Sequence, residues 1–350
     1  MALGTSHSAF TSFPILSIFV GNSYSILFKP MANLSVAERM NLPWVESPFF
    51  DNLLTKKNIS SEQQEQAIHY NREGFVLFHQ LVDHTLIDCT LQEIEHEYPA
   101  HVGDSPSRQQ DLWRKYSSVR ELASQPPIFD ALRFLYDREP IPFQTLNFKF
   151  GSQQRAHSDS IHFSSTPARF MCGVWIAMED TNAENGPLFY YPRSHRQQMM
   201  NYFDIGLQAD GNYLEYPKYE DFMEQFMVTQ QFEKHEIHMQ KGDVLIWSAN
   251  LVHGGMPIKG GNATRWSQVT HYFFEDCMYF SPRLSDMFSH NLSLLQVTNI
   301  ATGKVVQHSQ NGIPIETINT GNFQYAVSHK FTLPVLMKEV IKKLLGKKPF

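Results

Sequence analysis

The sequence predicts a mainly β fold with flanking helices, and three observations carry that reading. Between Gln144 and Glu275 apolar, strand-like runs follow one another: QTLNFKFG, MCGVWIAMED, NGPLFYYPRSH, KGDVLIWSANLVHGG and TRWSQVTHYFFE. Turn-forming residues separate them, as in GGMPIKGGNA, whose Gly, Pro and Asn content suits a loop joining two antiparallel strands. Helical patterns lie mainly upstream, where they can cover one face of a sheet. At 42% hydrophobic and 18% charged residues, the 350-residue chain has ample material for a core.

Taken in order, the chain begins with a stretch unlike the rest. Met1 to Phe28 holds no formally charged side chain, and PILSIFVGNSYSILF is apolar but interrupted by Gly21, Asn22, Ser23 and Ser25. It is too short and too broken for a membrane span, and it lacks the basic start and small-residue cleavage site of a secretory signal. Residues 1–30 are therefore expected to be an extension without order of its own. A cytoplasmic protein is the expectation, with targeting or membrane association through residues 1–30 as the alternative. From Ser60, SSEQQEQAIHYNREGFVLF reads as a helix capped by Ser60 or Ser61 and stopped at Gly74, then a short strand. HTLIDCTLQEIEHEY gives a second amphipathic helix. Residues 199–232 are long for a connection; Tyr216 to Gln231 is expected to be a helix folded over the barrel mouth. A hairpin is expected around residues 301–304 and a basic helix from about Leu333 to Leu345. The expected division is an extension (1–30), one domain (31–290), and a C-terminal hairpin and basic helix packed on it (291–350).

The chemistry-bearing residues lie in the strand-rich stretch. Side chains at i and i+2 of a strand share a face, so His157 and Asp159 can offer an imidazole and a carboxylate to one ion. His253 completes a two-histidine, one-carboxylate set, which suits Fe(II) and leaves coordination positions open. Arg265 follows His253 by twelve residues. The other histidines, including His195, His235, His238 and His271, are expected to be structural or exposed, His195 through a side-chain hydrogen bond to a loop.

These segments, in this order, resemble the phytanoyl-CoA dioxygenase family of Fe(II)/2-oxoglutarate enzymes, with its H-x-D, W-x-A-M/L-E-D, N-G-x-L-x-x-x-P-G-S-H and distal H then R. One departure is Arg193, where the family usually has Gly. The resemblance implies a double-stranded β-helix, a jelly roll of the cupin-like kind. It implies Fe(II) held by His157, Asp159 and His253, with 2-oxoglutarate as co-substrate, O2 as oxidant and ascorbate as support. Lys149 matches a position that contacts 2-oxoglutarate, and Asn147 is taken to share its strand face. Trp175 matches a tryptophan packed beside the co-substrate. Arg265 fits the distal arginine, whose fork takes a carboxylate through two hydrogen bonds, with Ser267 on the same face. The implied reaction hydroxylates a small-molecule metabolite and releases succinate and CO2; Asp159 argues against halogenation, for which relatives carry a small residue there. Gln144, His162 and the segment from Tyr202 to Tyr219 are the expected substrate contacts. A metal isomerase or lyase that does not use 2-oxoglutarate, and a non-catalytic ligand-binding barrel, remain the alternatives.

Charge and cysteine content narrow the partners. With 35 acidic and 29 basic residues the net charge is -6, which gives no general attraction to nucleic acid or anionic membranes. Cys89, Cys172 and Cys277 show no C-x-x-C spacing, so they are expected to be core thiols in a reducing compartment.

Overall fold

The computed structural model describes residues 35–101, 103, 108–209, 213–286, 292–320 and 323–326. The expected extension (1–30) and the basic helix (333–345) lie outside these residues. Six helices precede the strand-rich stretch or alternate with its first strands: α1 Val36–Arg39, α2 Phe50–Leu54, α3 Ser61–Glu73, α4 His84–Ile94, α5 Ser117–Leu122 and α6 Pro126–Tyr136. A seventh, α7 Tyr216–Thr229, falls inside the 199–232 connection, as its composition suggested. Among the described residues no helix is long and apolar enough to cross a membrane.

The strands are β1 Phe75–Phe78, β2 Arg108–Gln110, β3 Pro140–Phe148, β4 Ser164–Thr166, β5 Met171–Ala177, β6 Leu188–Tyr190, β7 His235–Ile237, β8 Val244–Ser248, β9 His253–Gly255, β10 Ser267–Phe274 and β11 Met278–Phe280. A major antiparallel sheet runs in the order β1-β8-β5-β10-β3-β2, and a minor sheet runs β7-β6-β9. An isolated antiparallel bridge between His157 and His253 adds a fourth member to the minor sheet. From β3 onward the chain passes to the His157 bridge, back to β5, across to β6 and β7, then to β8, β9 and β10. The four central strands of the major sheet, β8-β5-β10-β3, and the four-membered minor sheet, built by this crossing, are the double-stranded β-helix. The expected hairpin pairs Thr298–Asn299 with Lys304–Val305.

Alternation along the strands decides which side chains meet the helices. On β5 and β8, Cys172, Val174, Ile176 and Ile246 join the large core that includes Tyr70, Ile87, Leu132 and Tyr136. The intervening residues Trp175, Ala177, Leu245 and Trp247 form a second cluster between the sheets, with Leu188 and Ile237 of the minor sheet. Both faces of the major sheet are therefore covered, and its strands read as near-continuous apolar runs. Cys172 and Cys277 are buried as expected, whereas Cys89 is exposed on the solvent side of α4, so only two of the three thiols are core residues.

Local signals fix the elements that flank the sheets. Ser60 caps α3, its hydroxyl accepting from Gln63 N–H while the Gln63 side chain accepts from Ser60 N–H. Gly74 ends α3 at φ 90°, and a Cβ there would lie 2.5 Å from Nδ1 of His195. His195 is buried, and its Nε2 donates to the Asn71 carbonyl at 3.1 Å, the loop contact foreseen for it. Arg193 adopts φ 67°, the left-handed region that glycine enters without cost, which explains the residue usual at this place in the motif.

Two expectations follow. Ser60→Ala lowers unfolding stability by about 1 kcal/mol, while Gly74→Ala costs more because it combines backbone strain with a steric overlap; chemical denaturation measures both. Burial holds the His195 imidazole down at about 3, below its ordinary value of 6.5. Between those values the unfolded chain takes a proton that the folded one refuses, so stability falls as pH drops below about 6.5 and is level above it. His195→Gln flattens that acid limb, read as the pH dependence of the melting temperature.

Candidate metal centre

The site forms where the minor sheet closes. His157 and His253 exchange two backbone hydrogen bonds, N–H to O at 3.0 Å and 2.9 Å, so residues far apart in sequence stand directly opposite one another. Each imidazole is then oriented by a carbonyl two residues back: His157 Nδ1–H donates to Arg155 O at 2.8 Å, and His253 Nδ1–H donates to Leu251 O at 3.0 Å. Fixing the proton on Nδ1 leaves both Nε2 lone pairs free. These point at Oδ1 of Asp159, at 3.8 Å and 4.0 Å. One ligand atom from each of the three residues lies within 4.8 Å of the others.

His157 and Asp159 do not sit on one continuous strand, contrary to the parity expectation. The chain leaves the sheet after the His157 bridge, and Asp159 opens a short 3-10 turn, Asp159–Ile161. The turn, not strand alternation, brings the carboxylate under the imidazoles. Burial pushes the Asp159 carboxyl upward, but His253, His271 and His157 outweigh that and hold it well below the usual carboxylate range. Burial and the neighbouring His253 in turn lower His157 to about 4, so it presents a neutral imidazole. Two imidazoles with free Nε2 lone pairs beside one carboxylate are the donor set that suits Fe(II), and the residues present fit that ion.

A cavity of about 460 Å³ opens over these ligands. Arg265 reaches it from the residue pair just before β10, whose backbone N–H donates to Lys149 O at 2.8 Å. Arg265 is 1% exposed, and its Nε and Nη1 are buried with no hydrogen-bond partner. Burial pushes Arg265 down to about 10, with Glu179 acting in the opposite sense, so it remains a cation at neutral pH. Glu179, of the WIAMED segment, accepts from Trp266 N–H and from the Thr264 hydroxyl, which ties down the chain on both sides of Arg265. Trp175 lies under the guanidinium, 5.2 Å from its centre, and its Nε1 is buried without a partner. The Ser267 hydroxyl is likewise buried and unpartnered. Unsatisfied buried donors of this kind are rare in native proteins, and here they cluster around a cation. They fit an anionic carboxylate.

Lys149 and Asn147 belong to the other face. Gln144, Leu146 and Phe148 of β3 line the cavity, which turns the odd-numbered residues toward the helices. Asn147 donates to Gln268 Oε1 at 3.0 Å, and Lys149 stands 3.8 Å from Glu95 beyond α4. Because both faces of β3 are covered, apolar alternation could not tell them apart. Of the expected substrate contacts, Gln144 and His162 do line the cavity, as do Tyr213 and Tyr216. The 199–232 connection folds over the mouth: Tyr219 of α7 meets the backbone N–H of Ser158 at 3.4 Å, and Tyr216 Oη lies 3.2 Å from His162 Nε2. Arg155 anchors the same helix through Asp221 and Glu224.

Two wall residues were missed. Trp247 Nε1–H donates to Asp159 Oδ2 at 2.8 Å, and His271 Nε2 stands 3.6 Å from the same oxygen. His235 and His238, by contrast, are placed as expected, both exposed and neither in the cavity wall.

Fold and donor set together define a double-stranded β-helix with a two-histidine, one-carboxylate candidate metal centre. Residues 114–265 match the family described as Phytanoyl-CoA dioxygenase (PhyH), and that span holds His157, Asp159, His253 and Arg265. That segment is similar to this family. A Caenorhabditis elegans protein named "Probable phytanoyl-CoA dioxygenase" is 28% identical over 142 residues, 38% of this chain and 40% of that one. Mouse (Mus musculus) phytanoyl-CoA dioxygenase domain-containing protein 1 is 34% identical over 80 residues, 22% of this chain and 28% of the mouse protein. The matched segments thus span less than half the length of either relative. Among solved structures, the non-heme alpha ketoglutarate dependent epimerase SnoN from nogalamycin biosynthesis superposes with TM-score 0.50 at 17% identity, over 75% of this chain and 97% of that one. The carbocyclase SnoK from the same biosynthesis gives TM-score 0.50 at 17% identity, over 77% and 97%. These two likenesses concern the fold.

Replacing His157, Asp159 or His253 with Ala abolishes stoichiometric Fe(II) binding while leaving the far-ultraviolet circular dichroism spectrum unchanged. Retained binding in any two of the variants contradicts the assignment.

Proposed function

We propose that the protein is an Fe(II)- and 2-oxoglutarate-dependent oxygenase that hydroxylates a small-molecule metabolite, with O2 consumed and succinate and CO2 released. The observation that carries this reading is the buried, unpartnered Arg265 guanidinium beside the His157, Asp159 and His253 donor set. Isolated burial of a cation costs several kcal/mol, so the arrangement supports an anionic co-substrate that supplies the missing partner. When bound, iron would supply oxygen activation together with 2-oxoglutarate.

The chain's own residues divide the remaining work. His157, Asp159 and His253 would hold the ion from one side and leave the cavity side open. Arg265, flanked by Ser267 and Trp175, would take the distal carboxylate of 2-oxoglutarate and set its direction toward the metal. Leu188, Val269 and the Trp175 ring exclude water around that chain. The prime substrate would enter under α7, against Gln144, His162 and Tyr216, in a cavity of a size that suits a small molecule. Ascorbate would maintain iron in the reduced state.

Purified protein given Fe(II), ascorbate, O2 and 2-oxoglutarate should release succinate slowly without a prime substrate and faster with the right metabolite. Absence of any 2-oxoglutarate turnover across a metabolite screen would favour a metal isomerase or lyase. Arg265→Ala weakens 2-oxoglutarate binding by roughly 30-fold or more, the equivalent of about 2–5 kcal/mol for a lost partner of a buried charge. Arg265→Lys recovers only part, since it keeps the charge and loses the fork. Titration of 2-oxoglutarate into the anaerobic Fe(II) protein, followed by the visible chelate band, measures both.

A further inference from the structure

Four residues stand in one cross-strand row on the cavity face of the major sheet. Gln144 of β3 is opposite His271 of β10, His271 is opposite Gly173 of β5, and Gly173 is opposite Trp247 of β8. The Trp247 ring lies directly over Gly173: a Cβ at that position would come within 2.2 Å of the indole. From there the indole N–H reaches Asp159 Oδ2 at 2.8 Å. His271 approaches the same oxygen from the other side of Gly173, at 3.6 Å, with its Nδ1 3.0 Å from Gln144 Oε1. Phe143 and Phe163 flank its ring. The β-bulge in the β10–β3 register begins just after His271 and leaves Phe143 as the extra residue beneath it.

We propose that the row Gln144, His271, Gly173 and Trp247 is a positioning device that pins Oδ2 of Asp159, so that the carboxylate offers the metal Oδ1 alone. The two oxygens have distinct surroundings: Oδ1 faces the imidazoles of His157 and His253, and Oδ2 faces Trp247 and His271. A carboxylate on a short 3-10 turn has freedom to rotate and to chelate an ion through both oxygens. Two fixed groups on Oδ2 remove that freedom and keep a coordination position open that two-oxygen binding would close. Gly173 makes the arrangement possible by leaving the indole room to lie flat across the sheet. Trp247, His271 and Gly173 are thus positioning residues, and their role rests on the reading of His157, Asp159 and His253 as a metal centre.

Fe(II) affinity of the intact protein, measured by anaerobic titration against a chelator, tests the pin separately from turnover. Trp247→Phe keeps the ring and removes the N–H, and it lowers Fe(II) affinity by about 10- to 100-fold, the usual effect of losing a partner that orients a ligand. Gly173→Ala displaces the indole and produces a similar loss, and combining the two adds little because both remove one hydrogen bond. The absorption spectrum of the Co(II)-substituted protein, which reports coordination, changes in these variants and in His271→Leu. It stays as in the parent for Val174→Ala, next to Gly173 on β5, whose side chain packs into the large core on the opposite face of the sheet. Equal Fe(II) affinity and Co(II) spectra in the parent, Trp247→Phe and Gly173→Ala overturn the pin and leave the metal centre standing. If Trp247→Phe fails to fold, His271→Leu and Gly173→Ala decide the same point. Failure of the parent to take up Fe(II) overturns both readings.

Discussion

Two backbone hydrogen bonds between His157 and His253 hold the site together. They are the last pairing of the minor sheet, and they set the separation of both imidazoles before any metal is considered. The carbonyls of Arg155 and Leu251 then fix the ring orientation, so the Nε2 atoms converge on Asp159. Everything around this pairing is arranged to keep it in place. The major sheet supplies Trp247 and His271 beneath Asp159, and α7 closes over Ser158 and His162 through Tyr219 and Tyr216.

The electrostatics of the cavity are unbalanced in two different ways. At the metal end, a buried carboxylate accepts the indole N–H of Trp247 and faces the free Nε2 lone pairs of His157 and His253, so the donors converge on a space the size of an ion. At the far end, Arg265 is buried with Nε and Nη1 unsatisfied, beside the unpartnered Ser267 hydroxyl and Trp175 indole. An unpaired buried guanidinium is expensive, and its persistence marks a place prepared for an anion. One end awaits a cation and the other a carboxylate. A short dicarboxylate that also chelates the metal satisfies both with one molecule.

The gathering of His157, Asp159, His253, Arg265 and Trp175 at one cavity, the α3 caps and the α7 cover were legible because each depends on local pattern or motif order. Ser60 and Gly74 declare the ends of α3 through capping chemistry, and Gly74 sits at a positive φ that few residues tolerate. Lys149 and Asn147 were assigned to the wrong face because β3 is covered on both sides, which erases the alternation that would have distinguished them. Trp247 and His271 were missed because their role exists only in the register of β8, β5 and β10. Gly173 offered the one available signal: a glycine inside a strand often marks close approach of another group. The parity argument brought His157 and Asp159 together through the wrong backbone, since a 3-10 turn replaces the strand after His157.

The central claim is that one ion and one dicarboxylate share this cavity in a fixed orientation. Anaerobic crystals grown with Fe(II) and 2-oxoglutarate, with diffraction recorded at the iron absorption edge, test it directly. The account predicts a single anomalous peak within about 2.0–2.2 Å of His157 Nε2, His253 Nε2 and Asp159 Oδ1, by the distances usual for such metal bonds. It also predicts the distal carboxylate of 2-oxoglutarate against the Arg265 guanidinium. An iron peak elsewhere, or a 2-oxoglutarate molecule whose distal carboxylate avoids Arg265, would contradict it.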